Sequence, residues 1–192
     1  MNAAWRVRDI LTDPAGTWAR IGEEPGDVAQ LLTGYVAPLA AVPAVFGLLG
    51  ACVVGAVVPN AGLVRATPLD GIFGALFGYV LACAGALLLG VLIAVLAPMF
   101  GARRDFDSAF KLAVYSLTPV WLAGVFLLAP GLRFLGLLGC YGIYLLWTGL
   151  PRLVRMPPRR RPGYAAAIVA CAVVLIVIAA AAQRALFGVA GL

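Results

Sequence analysis

Apolar residues gather into five long runs, near 31–57, 72–98, 109–129, 134–150 and 164–187. Each reaches or approaches the about 20 residues that carry a helix across a bilayer. Polar residues are confined to joints too short to fold separately. The pattern predicts an all-α, polytopic integral membrane protein of five transmembrane helices. Residues 1–27 read as a short cytosolic interfacial segment, and 28–192 as one five-helix transmembrane domain.

The third run breaks the apolar pattern most. A charged collar, Arg103-Arg104-Asp105-Phe106-Asp107, leads into Lys111, Tyr115-Ser116 and Thr118-Pro119. Pro119 has no N–H, so the Tyr115 carbonyl loses its helical donor. In hydrocarbon that carbonyl must be satisfied by protein or by water in a cavity. Two readings are open: a packing kink held by a neighbouring helix, or a polar notch that binds something. In the first run Pro38 likewise frees the Gly34 carbonyl, beside Tyr35 and at a comparable distance from the same end. The two runs are expected to pack there, around a candidate pocket of Tyr35, Pro38, Lys111, Tyr115, Ser116, Thr118 and Pro119. Lys111 would supply charge to a lipid headgroup or an acidic segment.

Along the second run a small residue recurs at every fourth position: Gly74, Gly78, Ala82, Ala86, Gly90 and Ala94. Such rows let helix backbones approach closely. Because the row drifts about 40° per step, its two halves must face different neighbours, which predicts a central helix. Leucine at Gly78 or at Gly90 is expected to disrupt the fold alike. The fourth run is brief, with Tyr141, Tyr144 and Trp147 placed for an interfacial aromatic belt. The fifth is plain Ala/Val/Ile up to Gln183.

Composition reinforces the class, with 64% apolar residues, 11% charged and no histidine. Basic residues outnumber acidic ones, 14 to 8. With five spans, the N-terminus and the 2–3 and 4–5 loops share one side. That side holds Arg6, Arg8, Arg20, Arg103, Arg104, Lys111, Arg152, Arg155, Arg159, Arg160 and Arg161, against Arg65, Arg133 and Arg184 opposite. Positive charge in short loops marks the cytosolic side, so the N-terminus reads as cytosolic and the C-terminus as outside. The arginines of the 4–5 loop, Arg152, Arg155, Arg159, Arg160 and Arg161, suit an anionic leaflet at about 1 kcal/mol each. The near-exclusive use of arginine over lysine points to a GC-rich bacterial genome and hence to the bacterial inner membrane.

The first 27 residues lack the uninterrupted apolar core of a signal peptide, because Asp9, Asp13, Glu23, Glu24 and Asp27 break every run. Asp13-Pro14 reads as a helix start, with Trp18 and Ile21 on one face. A surface helix resting at the headgroups is the expectation, with a docking site for a partner as the alternative. Cys52, Cys83, Cys140 and Cys171 fall inside spans at scattered depths and read as small apolar filler.

Catalytic parts are missing. No Asp or Glu lies inside a run, so relays and acid dyads have no members. There is no histidine base, no glycine-rich phosphate loop and no metal-ligand cluster. The chain reads as non-enzymatic, with no cofactor and no nucleic-acid partner.

Several stretches resemble the bacterial Yip-type (Ypt-interacting-protein, Yip domain) membrane family. The most specific is Ala113-Val114-Tyr115-Ser116-Leu117-Thr118-Pro119-Val120-Trp121-Leu122-Ala123-Gly124. Tyr141-Gly142-Ile143-Tyr144-Leu145, Gly149-Leu150-Pro151 and Met156-Pro157 resemble the next stretch of that family. So do Leu11-Thr12-Asp13-Pro14 with Trp18, Ile21 and Glu24, and the Tyr35 to Pro38-Leu39 start of the first run. The likeness touches most of residues 9–165. It implies five spans and a cytosolic N-terminus. Eukaryotic members of that family are implicated in vesicle trafficking and bind prenylated Rab GTPases, with longer cytosolic N-terminal regions; a bacterium has no Rab partner, so that role does not transfer. The expected function is to organise the membrane or to bind a lipid or protein partner, anionic headgroups or a second copy included. A channel or facilitator for a small solute is the alternative.

Overall fold

The computed structural model describes residues 3–58, 62–154 and 156–187. Five helical spans cross the molecule: Val28–Val54, Pro68–Phe100, Phe106–Leu128, Phe134–Leu153 and Pro158–Phe187, here spans one to five. Each has the length and apolar composition to cross a membrane. Successive spans run in opposite directions. The starts of spans one, three and five therefore share one end, the basic end, with Arg103, Arg104, Arg152, Arg159 and Arg160 exposed there.

Local chemistry fixes the starts. The Asp27 carboxylate accepts from the Gln30 N–H at 2.9 Å, and Asp105 from the Asp107 N–H at 3.2 Å. Thr67 accepts from the Asp70 N–H at 3.2 Å, ahead of Pro68 in the first turn of span two. Each occupies donors that a helix start leaves orphaned. Span two ends at Gly101, whose φ of 79° only glycine adopts cheaply. The Gly101 and Ala102 N–H groups close back on Pro98 and Ala97, each at 3.0 Å, a Schellman cap.

Two spans depart from regular α-helix. Span one carries wide π turns at Leu32–Val36 and Gly50–Val54, with Pro38 and Pro43 between them. The apolar run near 31–57 ends as helix at Val54. Gly55, at φ 79°, turns the chain into a short strand β1, Ala56–Val58, paired antiparallel with β2, Gly62–Val64. This hairpin was hidden in the sequence because its Ala-Val-Val simply prolongs an apolar run. Pro59 and Asn60, which follow β1 in the sequence, lie outside the described residues. Span four is reached through a 3₁₀ stretch, Pro130–Cys140, before its α-helix Tyr141–Leu153 begins.

Spans two and three share the centre. Span two packs against spans one, three and five, and span three against spans one, two and four. A Cβ at Gly74 or Gly78 would meet Phe187 or Gln183 of span five, whereas one at Gly90 would meet Phe110 of span three. The two halves of the small row thus look at different helices. Ala86 and Ala94 are buried, and Ala82 borders an apolar cavity of about 520 Å³ between spans one, two, three and five.

Ahead of the spans come two helices, α1 (Ala3–Thr12) and α2 (Pro14–Glu23). Asp13 caps α2 by accepting from the Gly16 N–H at 3.1 Å. The Trp18 and Ile21 face is not turned to lipid. Both side chains, and Ile10 of α1, are fully buried in the core. Gly149 in span four makes the seat, since a Cβ there would stand 2.7 Å from both the Trp18 ring and Leu112 of span three. Further up, Gly22 looks onto Arg152 and Leu153.

Candidate functional site

The broken stretch of span three faces span one. The hydroxyls of Tyr35 and Thr118 are 2.9 Å apart, and both residues are buried. The Tyr35 and Tyr115 rings meet edge-on with centroids 4.8 Å apart. The Trp18 ring of α2 stands edge-on to Tyr115 at 6.0 Å. Rings from three elements therefore pack in a row, Trp18 on Tyr115 on Tyr35, and the Tyr35 and Thr118 hydroxyls gain a partner that hydrocarbon would deny them.

Pro119 and Ser116 are buried in the same region. Just below the proline break, span four comes so close that a Cβ at Gly142 would collide with the Ser116 carbonyl. Ser116 Oγ and Trp18 Nε1 are buried without a hydrogen-bond partner. Pro38, by contrast, is exposed on span one rather than buried with the cluster.

Lys111 sits half-buried above these residues. Its ammonium donates to the carbonyls of Glu24 at 2.6 Å and Ile21 at 3.2 Å. These carbonyls belong to the open C-terminal end of α2, where the helix dipole presents partial negative charge. An ion pair between Arg6 and Glu24 closes α1 onto the same corner.

Beside this corner lies a pocket of about 350 Å³, bordered by Glu24, Asp27, Tyr35, Asp107, Lys111 and Tyr115 among others. Thr118 does not border it. The candidate residues thus divide by depth. Ser116, Thr118 and Pro119 are buried away from the pocket, whereas Tyr35 and Tyr115 are buried but reach its wall beside Lys111. Three carboxylates border the pocket against one lysine already committed to main-chain oxygens.

Of the loop arginines, Arg152, Arg159 and Arg160 are exposed, and Arg161 is half-buried with its Nε unpartnered. Arg155 lies outside the described residues. Arg160 reaches back to Gly101 at the end of span two. Among the described residues no group of His, Cys, Asp and Glu is arranged to hold a metal ion.

Sequence reasoning missed the part played by Trp18 and Glu24. The shared face of Trp18 and Ile21 was visible, but the glycine seat that receives it comes from a helix more than a hundred residues away. A family model described as the Yip1 domain matches residues 8–180. No curated protein and no solved structure matches.

Proposed function

The chain belongs to the Yip1 domain family of multi-pass membrane proteins, and on that footing we propose that it is a non-enzymatic protein of the bacterial inner membrane that organises the bilayer by binding anionic lipid headgroups at its basic end. In this reading the N-terminus and the 4–5 loop face the cytosol. The supporting observation is the exposure of Arg103, Arg104, Arg152, Arg159 and Arg160 at one end. The ion pairs among the described residues are made by Arg6 and Arg20, which leaves these five unpaired. Each is worth about 1 kcal/mol of attraction to an anionic leaflet.

Purification in native lipid, with mass spectrometry of the copurifying molecules, tests the reading. Anionic lipid should be enriched over the bulk membrane, and the enrichment should fall in an Arg152→Gln, Arg159→Gln, Arg160→Gln variant. Recovery of bulk lipid composition by both proteins would sink it. Copurification of a protein or of a second copy would instead identify a macromolecular partner.

A facilitator for a small solute is the second reading, and the 520 Å³ cavity is what favours it. Its wall is apolar apart from Gln183 and Trp121. A polar solute inside would therefore lose most of its hydrogen bonds. Solute uptake into sealed proteoliposomes above the empty-vesicle rate is the observation this reading requires.

A further inference from the structure

The two N-terminal helices lie deeper than a surface segment. Gly22, near the end of α2, is level with Arg152 and Leu153 at the basic end of span four. Trp18 is level with Gly149. The Tyr141 hydroxyl donates to the Leu11 carbonyl, just before the Thr12-Asp13-Pro14 turn, at 3.2 Å. α1 and α2 therefore form a helical hairpin that runs along span four, with its turn pointing into the bundle. Tyr141 stands twelve residues before Leu153, about 18 Å along the helix, and α2 itself descends about 12 Å from Gly22 to Pro14. These bracket the turn at about 12–18 Å below the basic end, near half of the roughly 30 Å hydrocarbon core.

The exposed face of this hairpin carries polar side chains toward its turn, while Trp5 is exposed nearer the basic end. Arg8, Thr12, Asp13 and Arg20 are exposed, and Arg20 pairs with Asp9 at 3.4 Å. Of these charges Asp13 stands at the depth of the turn, and an exposed charge there is costly unless water and headgroups reach it. Span five makes the opposite demand. Val173 is 53% exposed and Val174 55%, and Ile176, Val177 and Ile178 beyond them are exposed as well. Between Arg161 and Arg184 span five carries no charged side chain. One flat leaflet boundary cannot satisfy both faces.

We infer that the hairpin draws the polar boundary of the basic-end leaflet inward beside span four, so that water and lipid headgroups reach Asp13 while hydrocarbon stays in place around span five. The aromatic side chains agree with this. Tyr141, Tyr144 and Trp147 are exposed on span four, where interfacial residues would flank a lowered boundary. The leaflet is thinned on one side of the molecule only, and the partner of this surface is the headgroup layer itself. The inference does not depend on which side of the membrane the basic end faces, nor on whether the arginines select anionic lipid.

Thiol labelling of the full-length protein in lipid vesicles tests it, with Cys52, Cys83, Cys140 and Cys171 replaced by alanine. Four single variants are compared, Thr12→Cys, Ile10→Cys, Val173→Cys and Arg159→Cys, using a charged, membrane-impermeant maleimide. Thr12→Cys should react from the same side as Arg159→Cys and within about tenfold of its rate, while Ile10→Cys and Val173→Cys stay unreactive. Protection of both Thr12→Cys and Ile10→Cys would mean that hydrocarbon covers the hairpin, and the proposal falls. Reaction of both would mean that the hairpin leaves the bundle, which overturns it equally. Reaction of Val173→Cys would place the boundary low all round and remove the asymmetry.

Discussion

The ammonium of Lys111 stands 2.6 Å from the main-chain oxygen of Glu24. A side chain from span three thereby closes the end of a helix that precedes all five spans. Two carbonyls that α2 cannot satisfy itself gain a charged donor. The attachment of the N-terminal hairpin to the bundle is thus partly electrostatic at its upper end and aromatic, through Trp18, lower down.

Lys111→Met should loosen α2 while leaving the rest of the bundle intact. Hydrogen bonds to a charged donor contribute about 1.5–3 kcal/mol each, so amide exchange over Pro14–Glu23 should rise by tenfold or more. Exchange in spans two and five should not move. Unchanged protection of α2 would show that Lys111 is not its anchor.

The Tyr35–Thr118 pair predicts strong non-additivity. Tyr35→Phe or Thr118→Val alone leaves a buried hydroxyl unpaired, at about 1–3 kcal/mol. The double variant should cost clearly less than the sum of the two, with a coupling of about 0.5–1.5 kcal/mol in reversible unfolding. Simple additivity would mean that the hydroxyls act independently.

Leucine substitutions along span two should differ in effect. Read as a sequence, the small row predicts that Gly78→Leu and Gly90→Leu disrupt the fold alike. A Cβ at Gly90 would stand 2.9 Å from the Phe110 ring and 3.1 Å from its Cα, which is backbone and cannot swing aside. At Gly78 the nearest atom is Gln183 Nε2 at 3.1 Å, the end of a flexible side chain. Gly90→Leu should therefore cost about 3 kcal/mol, as severe overpacking does. Gly78→Leu should cost about 1 kcal/mol, for the lost Gln183–Gly74 hydrogen bond. Thermal melts in detergent rank the two, and equal losses would contradict the geometry.

Orientation is tested at the same basic end. In intact cells, Arg159→Cys on a cysteine-free background should react with an impermeant thiol reagent only after the inner membrane is permeabilised. Labelling of intact cells at that position would reverse the cytosolic assignment of the arginine-rich loops.

What was legible in the sequence was whatever depends on composition or on neighbours a few residues apart. The five spans could be read because bilayer thickness acts on the length of an apolar run, and the Asp13 cap because capping is local. Counting from helix starts placed Tyr35 and Tyr115 at similar depth. That Thr118 rather than Ser116 meets the Tyr35 hydroxyl depends on how the helices are rotated, which no spacing encodes. The partners of Lys111 are main-chain oxygens, which carry no residue signature at all. The docking of Trp18 needed a groove built by Gly149 and Leu112 together, a product of packing between spans three and four.

The 3₁₀ stretch Pro130–Cys140 carries a mechanical consequence. A residue in 3₁₀ geometry advances about 2.0 Å and one in α geometry about 1.5 Å, so conversion of the part inside span four, Phe134–Cys140, would change its length by about 3–4 Å. A regular α-helix meets a change in bilayer thickness by tilting, kinking or deforming the bilayer. Conversion of this stretch would lengthen or shorten span four along its own axis without a change of tilt. Moved between membranes of unequal thickness, the molecule would take up the difference in span four.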